Sequence, residues 1–148
     1  MKTLTLIQNK NLIYPNKDSD YEILRTLGAP TNTLTTDYFK TLKNYLTEKK
    51  VPFELVQFDT VHKTLLRSLR DNHSFEISKL ENVFVLSQAS TYSDAKLQSL
   101  VSKLKTWYIL HYVETTITIR RSKNGFKLTV KLTNPTIGAK LQRTTYDK

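Results

Sequence analysis

The sequence has no cysteine, only 3 glycines and 4 prolines, and no long apolar run. Without cysteine, disulfide scaffolds, thiolate catalysis, iron–sulfur clusters and cysteine-based zinc sites are excluded. The longest unbroken apolar segments, residues 83–86 and 107–110, fall far short of the roughly 20 residues that a membrane span needs. Near the start, Leu4, Leu6 and Ile7 alternate with polar residues instead of forming the apolar block of a secretory signal. We therefore expect a cytoplasmic protein with no membrane partner.

Signatures of common catalytic sites are also missing. The three glycines stand apart, so the chain has neither a P-loop nor a dinucleotide-binding fingerprint. Hydroxyl residues are frequent, but none lies in a nucleophile elbow. Of the histidines, His62 and His111 are interpreted as packing or surface residues, and His73 lacks further metal ligands at a recognised spacing. The sequence thus predicts no catalytic residue, metal or cofactor. An enzyme with a pocket built around these histidines is only the third hypothesis.

Positive charge is what the sequence has in excess. Its 148 residues include 23 Lys and Arg against 13 Asp and Glu, a net charge of +10. Residues 92–148 hold 11 basic and 3 acidic side chains, and residues 115–143 hold seven basic and no acidic ones. A one-sided charge of this kind attracts polyanions and speeds encounter with them. General composition, which is rich in Lys, explains an excess of basic residues but not the absence of acids from one segment.

Periodicity predicts an α+β fold, because short strands alternate with helices along the chain. Capping boxes are expected at Ser19 with Glu22 and at Thr91 with Asp94, and Asp59 is expected to cap another helix. Three predicted helices begin at these caps, and a fourth is predicted over residues 36–49. Strands are predicted over residues 3–7, 12–14, 53–58 and 83–86.

The clearest predicted element is a C-terminal β-hairpin with strands over residues 113–122 and 126–133. Asn124-Gly125 is a strong signal for a two-residue turn in which both residues have positive φ. This turn opposes Ile119 to Val130, whereas a three-residue loop would bring apolar and polar faces together. One face of the hairpin is therefore apolar, and the other carries Lys, Arg and Thr. Such polar residues are also ordinary on the outer face of an antiparallel sheet.

The length favours one domain, since a chain of this size buries roughly 70 % of its unfolded surface. We predict a single α+β domain over residues 1–135, with a mixed or antiparallel sheet, about four helices and the terminal hairpin. A winged-helix-like order is the alternative. Residues 136–148 are predicted to form a basic, polar C-terminal tail.

The leading functional hypothesis is a non-enzymatic protein that binds nucleic acid, either DNA or RNA. Basic side chains of the hairpin and tail would neutralise phosphates: Arg120, Arg121, Lys123, Lys127, Lys131, Lys140 and Arg143. A two-stranded ribbon fits the major groove, and Tyr112 and Phe126 would stack on the bases of a single strand. The alternative is a protein-interaction module, as an inhibitor, adaptor or assembly subunit. It would dock on an acidic protein or assemble as a homo-oligomer.

Overall fold

The computed structural model describes residues 3–29 and 34–135, which contain eight strands and four helices. The fold is α+β, as predicted, and ends in the predicted hairpin. The helices are α1 (Asp18–Thr26), α2 (Thr36–Glu48), α3 (Phe58–His73) and α4 (Asp94–Leu110). The strands are β1 (Leu4–Asn9), β2 (Leu12–Pro15), β3 (Leu34–Thr35), β4 (Phe53–Gln57), β5 (Glu76–Leu80), β6 (Val83–Gln88), β7 (Val113–Ser122) and β8 (Gly125–Pro135). The predicted tail, residues 136–148, lies outside the described residues.

The described chain divides into two compact units, with the boundary between His62 and Lys63. The single domain predicted over residues 1–135 stays a prediction. The first unit contains a mixed sheet with strand order β3-β2-β1-β4, in which β1 pairs antiparallel with β2 and parallel with β4. Its core is formed by aliphatic side chains from the sheet, from α1 and α2, and from the segments that follow these two helices: Leu4, Leu6, Ile13, Leu24, Ala29, Leu42, Leu46 and Val51.

Helix α1 is held at its start by an acid other than the one predicted. The helix begins at Asp18, so the expected pairing of Ser19 with Glu22 is not its cap. Asp20 instead accepts hydrogen bonds from the backbone N–H of Lys17 at 3.1 Å and of Thr5 at 3.0 Å. Its side chain is only 3 % exposed, and it ties the helix to β1. The spacing of cap and acid is that of a capping box, moved two residues towards the N-terminus.

The second unit contains an antiparallel sheet with strand order β5-β6-β8-β7. Buried residues of β6 and β8 lie on one face, and α4 packs against β7. Five apolar residues of α4 are buried: Leu97, Leu100, Val101, Leu104 and Tyr108. Its cap is Ser93, whose hydroxyl accepts from the backbone N–H of Lys96 at 3.2 Å, and not the predicted Thr91.

A hairpin of β5 and β6 was missed by the sequence pattern. Its two-residue turn is Glu81-Asn82, and both residues have positive φ, 33° and 60°. That conformation belongs to the turns that match the twist of the two strands, but the sequence lacks the glycine that usually signals it. The extra strand places four strands in one sheet. This favours the predicted mixed or antiparallel sheet over the winged-helix-like alternative.

The β7–β8 hairpin has its turn one residue earlier than predicted. Ser122 pairs with Gly125, so the turn is Lys123-Asn124, and Ile119 lies opposite Leu128 rather than Val130. The pairing is shifted by two residues, which leaves both faces as predicted. Gly125 accounts for the difference: its φ is 152°, and a Cβ there would lie 1.8 Å from the backbone oxygen of Gln88. Close approach of β6, rather than the turn, therefore requires glycine.

Among the described helices, none combines the length and hydropathy that crossing a membrane demands.

Candidate nucleic-acid interface

The face of β7 and β8 opposite the buried core carries three of the predicted basic residues. Side chains alternate along a strand, so Arg120, Lys127 and Lys131 share this face with the threonines between them. We call the following six residues the basic sheet face: Thr116, Thr118, Arg120, Lys127, Thr129 and Lys131. All are exposed except Thr129, which is half-buried. Three cations and several hydroxyl donors therefore point to solvent from one rigid surface.

The cations are held at fixed spacings by the strand register. Arg120 lies directly opposite Lys127, where Cβ atoms of paired residues are about 4.5–5.5 Å apart. Lys131 lies opposite Thr116, four residues along β8 from Lys127. At about 3.4 Å per residue, the two lysines are about 14 Å apart along the strand. The arrangement suits an extended anion better than a single small one.

The same open face continues over β6 and β5. Across the row that contains Arg120 and Lys127, the next residues are Ser87 and then Glu76 on the far edge strand. Glu76 is therefore two strands away from Lys127. The acidic end of this row therefore lies on β5, and its basic end lies on β7 and β8.

Arg121 is not part of this surface. It follows Arg120 along β7 and points to the opposite face, where its guanidinium donates to the backbone oxygen of Tyr92 at 3.1 Å. It also forms a close ion pair with Asp94, the first residue of α4. Both contacts hold the start of α4 to the end of β7. Arg121 thus has a structural role in the second unit.

The remaining predicted contacts are separated from the basic sheet face. Lys123 is exposed in the turn between β7 and β8. It stands at the end of the hairpin, beyond Arg120 and Lys127. Lys140 and Arg143 lie outside the described residues.

Two sequence-based ideas about base contacts are wrong. Tyr112 is only 2 % exposed and Phe126 only 1 %, so neither ring presents a face on which a base could stack. Phe126 is instead packed edge-to-face on Phe75, with ring centroids 5.8 Å apart. The hairpin is also not a free ribbon, because β8 pairs with β6 on its other side. Contact with phosphates is what the exposed residues can still provide.

The histidines lie in three different settings. His62 stacks on Phe58 with centroids 5.2 Å apart, and His111 packs on Trp107 at 4.2 Å, so both have the packing role, one of the two roles expected of them. His73 has its Nδ1 3.1 Å from the hydroxyl of Tyr92. Burial, with Lys96 and Lys103 nearby, lowers the pKa of His73 below its usual value of 6.5. No three acidic or histidine side chains of the described chain cluster as a metal site would require.

Helix α3 carries a second basic surface, which the sequence did not predict. Residues 59–91 carry as many acids as bases, so their net charge gives no signal. In the structure, Lys63, Arg67 and Arg70 line one wall of an open cleft of about 580 Å³ between α3 and β5. Helical spacing places these three on one side of α3, a pattern that the sequence does contain. We call this feature the α3–β5 cleft.

Comparison with known protein families, curated proteins and solved structures yields no match to this chain.

Proposed function

We propose that the protein binds nucleic acid through the basic sheet face, by contacts to phosphates. The observation that supports this best is the pairing of Arg120 with Lys127 on an exposed surface. Like charges directly opposite each other destabilise a sheet. A surface selected only for folding would place an acid or a neutral residue at one of the two positions. An anion held between the two cations removes the repulsion and makes the pair favourable.

The neighbouring hydroxyls suit the same ligand. Thr118 and Thr129 face each other beside the Arg120–Lys127 pair, and Thr116 faces Lys131. Threonine hydroxyls donate hydrogen bonds to phosphate oxygens and add to the contacts of the cations. Residues 115–133 include no acid, so repulsion of a phosphate within these two strands is avoided.

Geometry favours a duplex that lies across the face over a single strand or a groove-inserted ribbon. The four strands, about 4.8 Å apart, place the outer strands about 14 Å from each other, wider than a major groove of about 12 Å. The basic sheet face offers no aromatic ring for base stacking. Binding is therefore expected to depend on phosphates and to show little sequence preference.

Salt dependence tests this mechanism. Three phosphate contacts predict a slope of about −2.7 for log K against log salt, or about a 40-fold loss of affinity between 50 and 200 mM salt. A labelled 20-base-pair DNA duplex, titrated with the protein and followed by fluorescence anisotropy, measures the slope. A single-stranded oligonucleotide of equal length provides the comparison, and weaker binding is expected for it.

A matched pair of charge reversals separates the effect of the basic sheet face on affinity from the effect of the net charge. Arg120→Glu and Lys105→Glu each lower the net charge by the same amount, but Lys105 is exposed on α4, away from the basic sheet face. We expect at least a tenfold loss of affinity from the first and less than a threefold loss from the second. Equal losses from the two variants, or a slope near zero in the wild-type protein, would refute the proposal.

A further inference from the structure

The α3–β5 cleft runs along the free edge of the second sheet. Strand β5 is the last strand on its side, and no described strand pairs with its outer edge. Glu76 and Ile77 both line the cleft although neighbouring residues of a strand point to opposite faces. A cleft that touches both must therefore follow the edge itself. Helix α3 leads into β5 through Ser74, whose φ is 56°, and forms the opposite wall.

Backbone groups on this edge are available for pairing. The two-residue turn makes Leu80 and Val83 a hydrogen-bonded pair, and hydrogen-bonded pairs then alternate along β5. Ser78 and Glu76 therefore bond to β6. Ile77 and Lys79 direct their N–H and C=O groups outwards, along the cleft.

Charge and apolar surface in the cleft define its occupant. Three basic residues of α3 line the wall, whereas Glu76 is the single acid among the lining residues. Leu66, Phe75 and Ile77 give the cleft an apolar lining. Cations beside an apolar strip complement a chain that alternates acidic and apolar side chains.

We infer that the cleft binds an extended acidic peptide segment of a partner protein, which adds as a strand to the edge of β5. Its backbone bonds to Ile77 and Lys79, and its carboxylates pair with the cations of α3, foremost Arg67, because Arg70 already forms an ion pair with Asp71 at 3.1 Å. This mode of recognition draws affinity from main-chain hydrogen bonds and specificity from alternate side chains.

A peptide fits this edge better than a nucleic acid strand does. An added peptide strand supplies both donors and acceptors, so it satisfies the outward N–H and C=O groups of Ile77 and Lys79. A phosphodiester backbone offers acceptors but no donors, and it would leave the outward carbonyls unpaired. The site is also distinct from the basic sheet face, since its cations belong to α3.

The test uses the full chain and a labelled seven-residue peptide of alternating glutamate and valine. Alternation lets the peptide adopt the register that turns its carboxylates towards α3. Binding is measured by fluorescence anisotropy, and amide hydrogen exchange is followed by NMR. At saturation, exchange at Ile77 and Lys79 is expected to slow at least fivefold. Unchanged exchange at both residues would overturn the inference, and this readout needs no variant.

Variants at Lys79 then separate the contribution of its backbone N–H to peptide binding from that of its side chain. Lys79→Pro removes one outward donor but no bond to β6, and Lys79→Ala removes the same side chain while keeping the donor. At least tenfold weaker binding is expected for the proline variant than for the alanine variant. Equal affinities would contradict strand addition. A peptide methylated on alternate backbone nitrogens is expected not to bind.

Charge reversals distinguish this site from the nucleic-acid interface. Arg67→Glu is expected to weaken peptide binding at least tenfold and to leave duplex binding unchanged, whereas Arg120→Glu does the reverse. If Arg67→Glu weakens duplex binding and not peptide binding, the cleft is a nucleic-acid site and the inference fails. Retained circular dichroism and a Tm no lower than that of the wild-type protein show that the variants fold.

Discussion

Replacing Lys127 by glutamate is expected to make the protein more stable and less able to bind nucleic acid. In the native register, Lys127 faces Arg120 across the strands. Charged groups about 6 Å apart in water repel each other by about 0.7 kcal/mol. Reversing one sign changes the interaction by about 1.4 kcal/mol at low salt, and screening at 0.15 M roughly halves this. The free energy of unfolding is thus expected to rise by about 0.6 kcal/mol.

Lys131→Glu is the matched control for Lys127→Glu. Lys131 is on the same strand and the same face, but its cross-strand neighbours are Thr116 and Val83, which carry no charge. Its reversal weakens duplex binding without the gain in stability. Urea denaturation followed by circular dichroism measures both variants, and the salt slope of each is expected to fall by about 0.9.

A double substitution completes the test. In Arg120→Glu with Lys127→Glu, the two positions again carry like charges, so the gain in stability disappears. Such a cycle isolates the interaction between the two side chains from their separate effects. If Lys127→Glu and Lys131→Glu change stability equally, or if the double variant keeps the gain, the Arg120–Lys127 repulsion is not significant. The argument for an anionic ligand between the two cations would then fail.

Three further substitutions test the fold. Gly125→Ala puts a Cβ against the backbone oxygen of Gln88, so a loss of more than about 2 kcal/mol in urea denaturation is expected, and a smaller loss would contradict the close approach. Asp20→Asn leaves one of two backbone N–H groups without an acceptor, which is expected to cost about 1–3 kcal/mol, against a negligible cost for the exposed Asp18→Asn. Because the pKa of His73 is lowered in the folded protein, this side chain takes up a proton at a higher pH in the unfolded chain than in the folded one. Stability should therefore fall as pH drops from 6.5 towards the folded pKa, and His73→Gln should flatten this part of the stability–pH curve.

Local patterns in the sequence were sufficient for most elements of the fold. Helical stripes and period-two alternation predicted the four helices and the terminal hairpin, because an amphipathic segment must bury its apolar side. They also predicted the two faces of the hairpin. A slip of two residues in register, such as the one between the predicted and observed pairing of Ile119, leaves those faces unchanged.

Elements without a strong local signal were missed. Strand β5 has the sequence Glu-Ile-Ser-Lys-Leu, and only one of its five residues, Ile77, is half-buried. It is a strand because β6 lies beside it and because Glu81-Asn82 forms a tight turn. The α3–β5 cleft was missed too, because it exists only where α3 and β5 lie beside each other in the folded chain.

The candidate interface was only partly predictable. Sequence alone grouped Arg120, Lys127 and Lys131 on one face, because alternation along paired strands determines that grouping. Alternation also puts Arg121 on the opposite face, but the sequence could not show its contact with Asp94, a residue 27 positions earlier. Nor could it show that Tyr112 and Phe126 are buried, since exposure depends on what packs against a side chain.

By itself, the sequence determined the class of fold, the helical and strand faces, and the concentration of positive charge near the C-terminus. These are properties of short segments, set by side-chain spacing and backbone preferences. Tertiary structure decided which cations share a surface, which are bound by internal contacts, where the turn falls and which sheet edge has no described strand beside it. Each of those depends on packing between segments far apart in the chain, which local spacing does not encode.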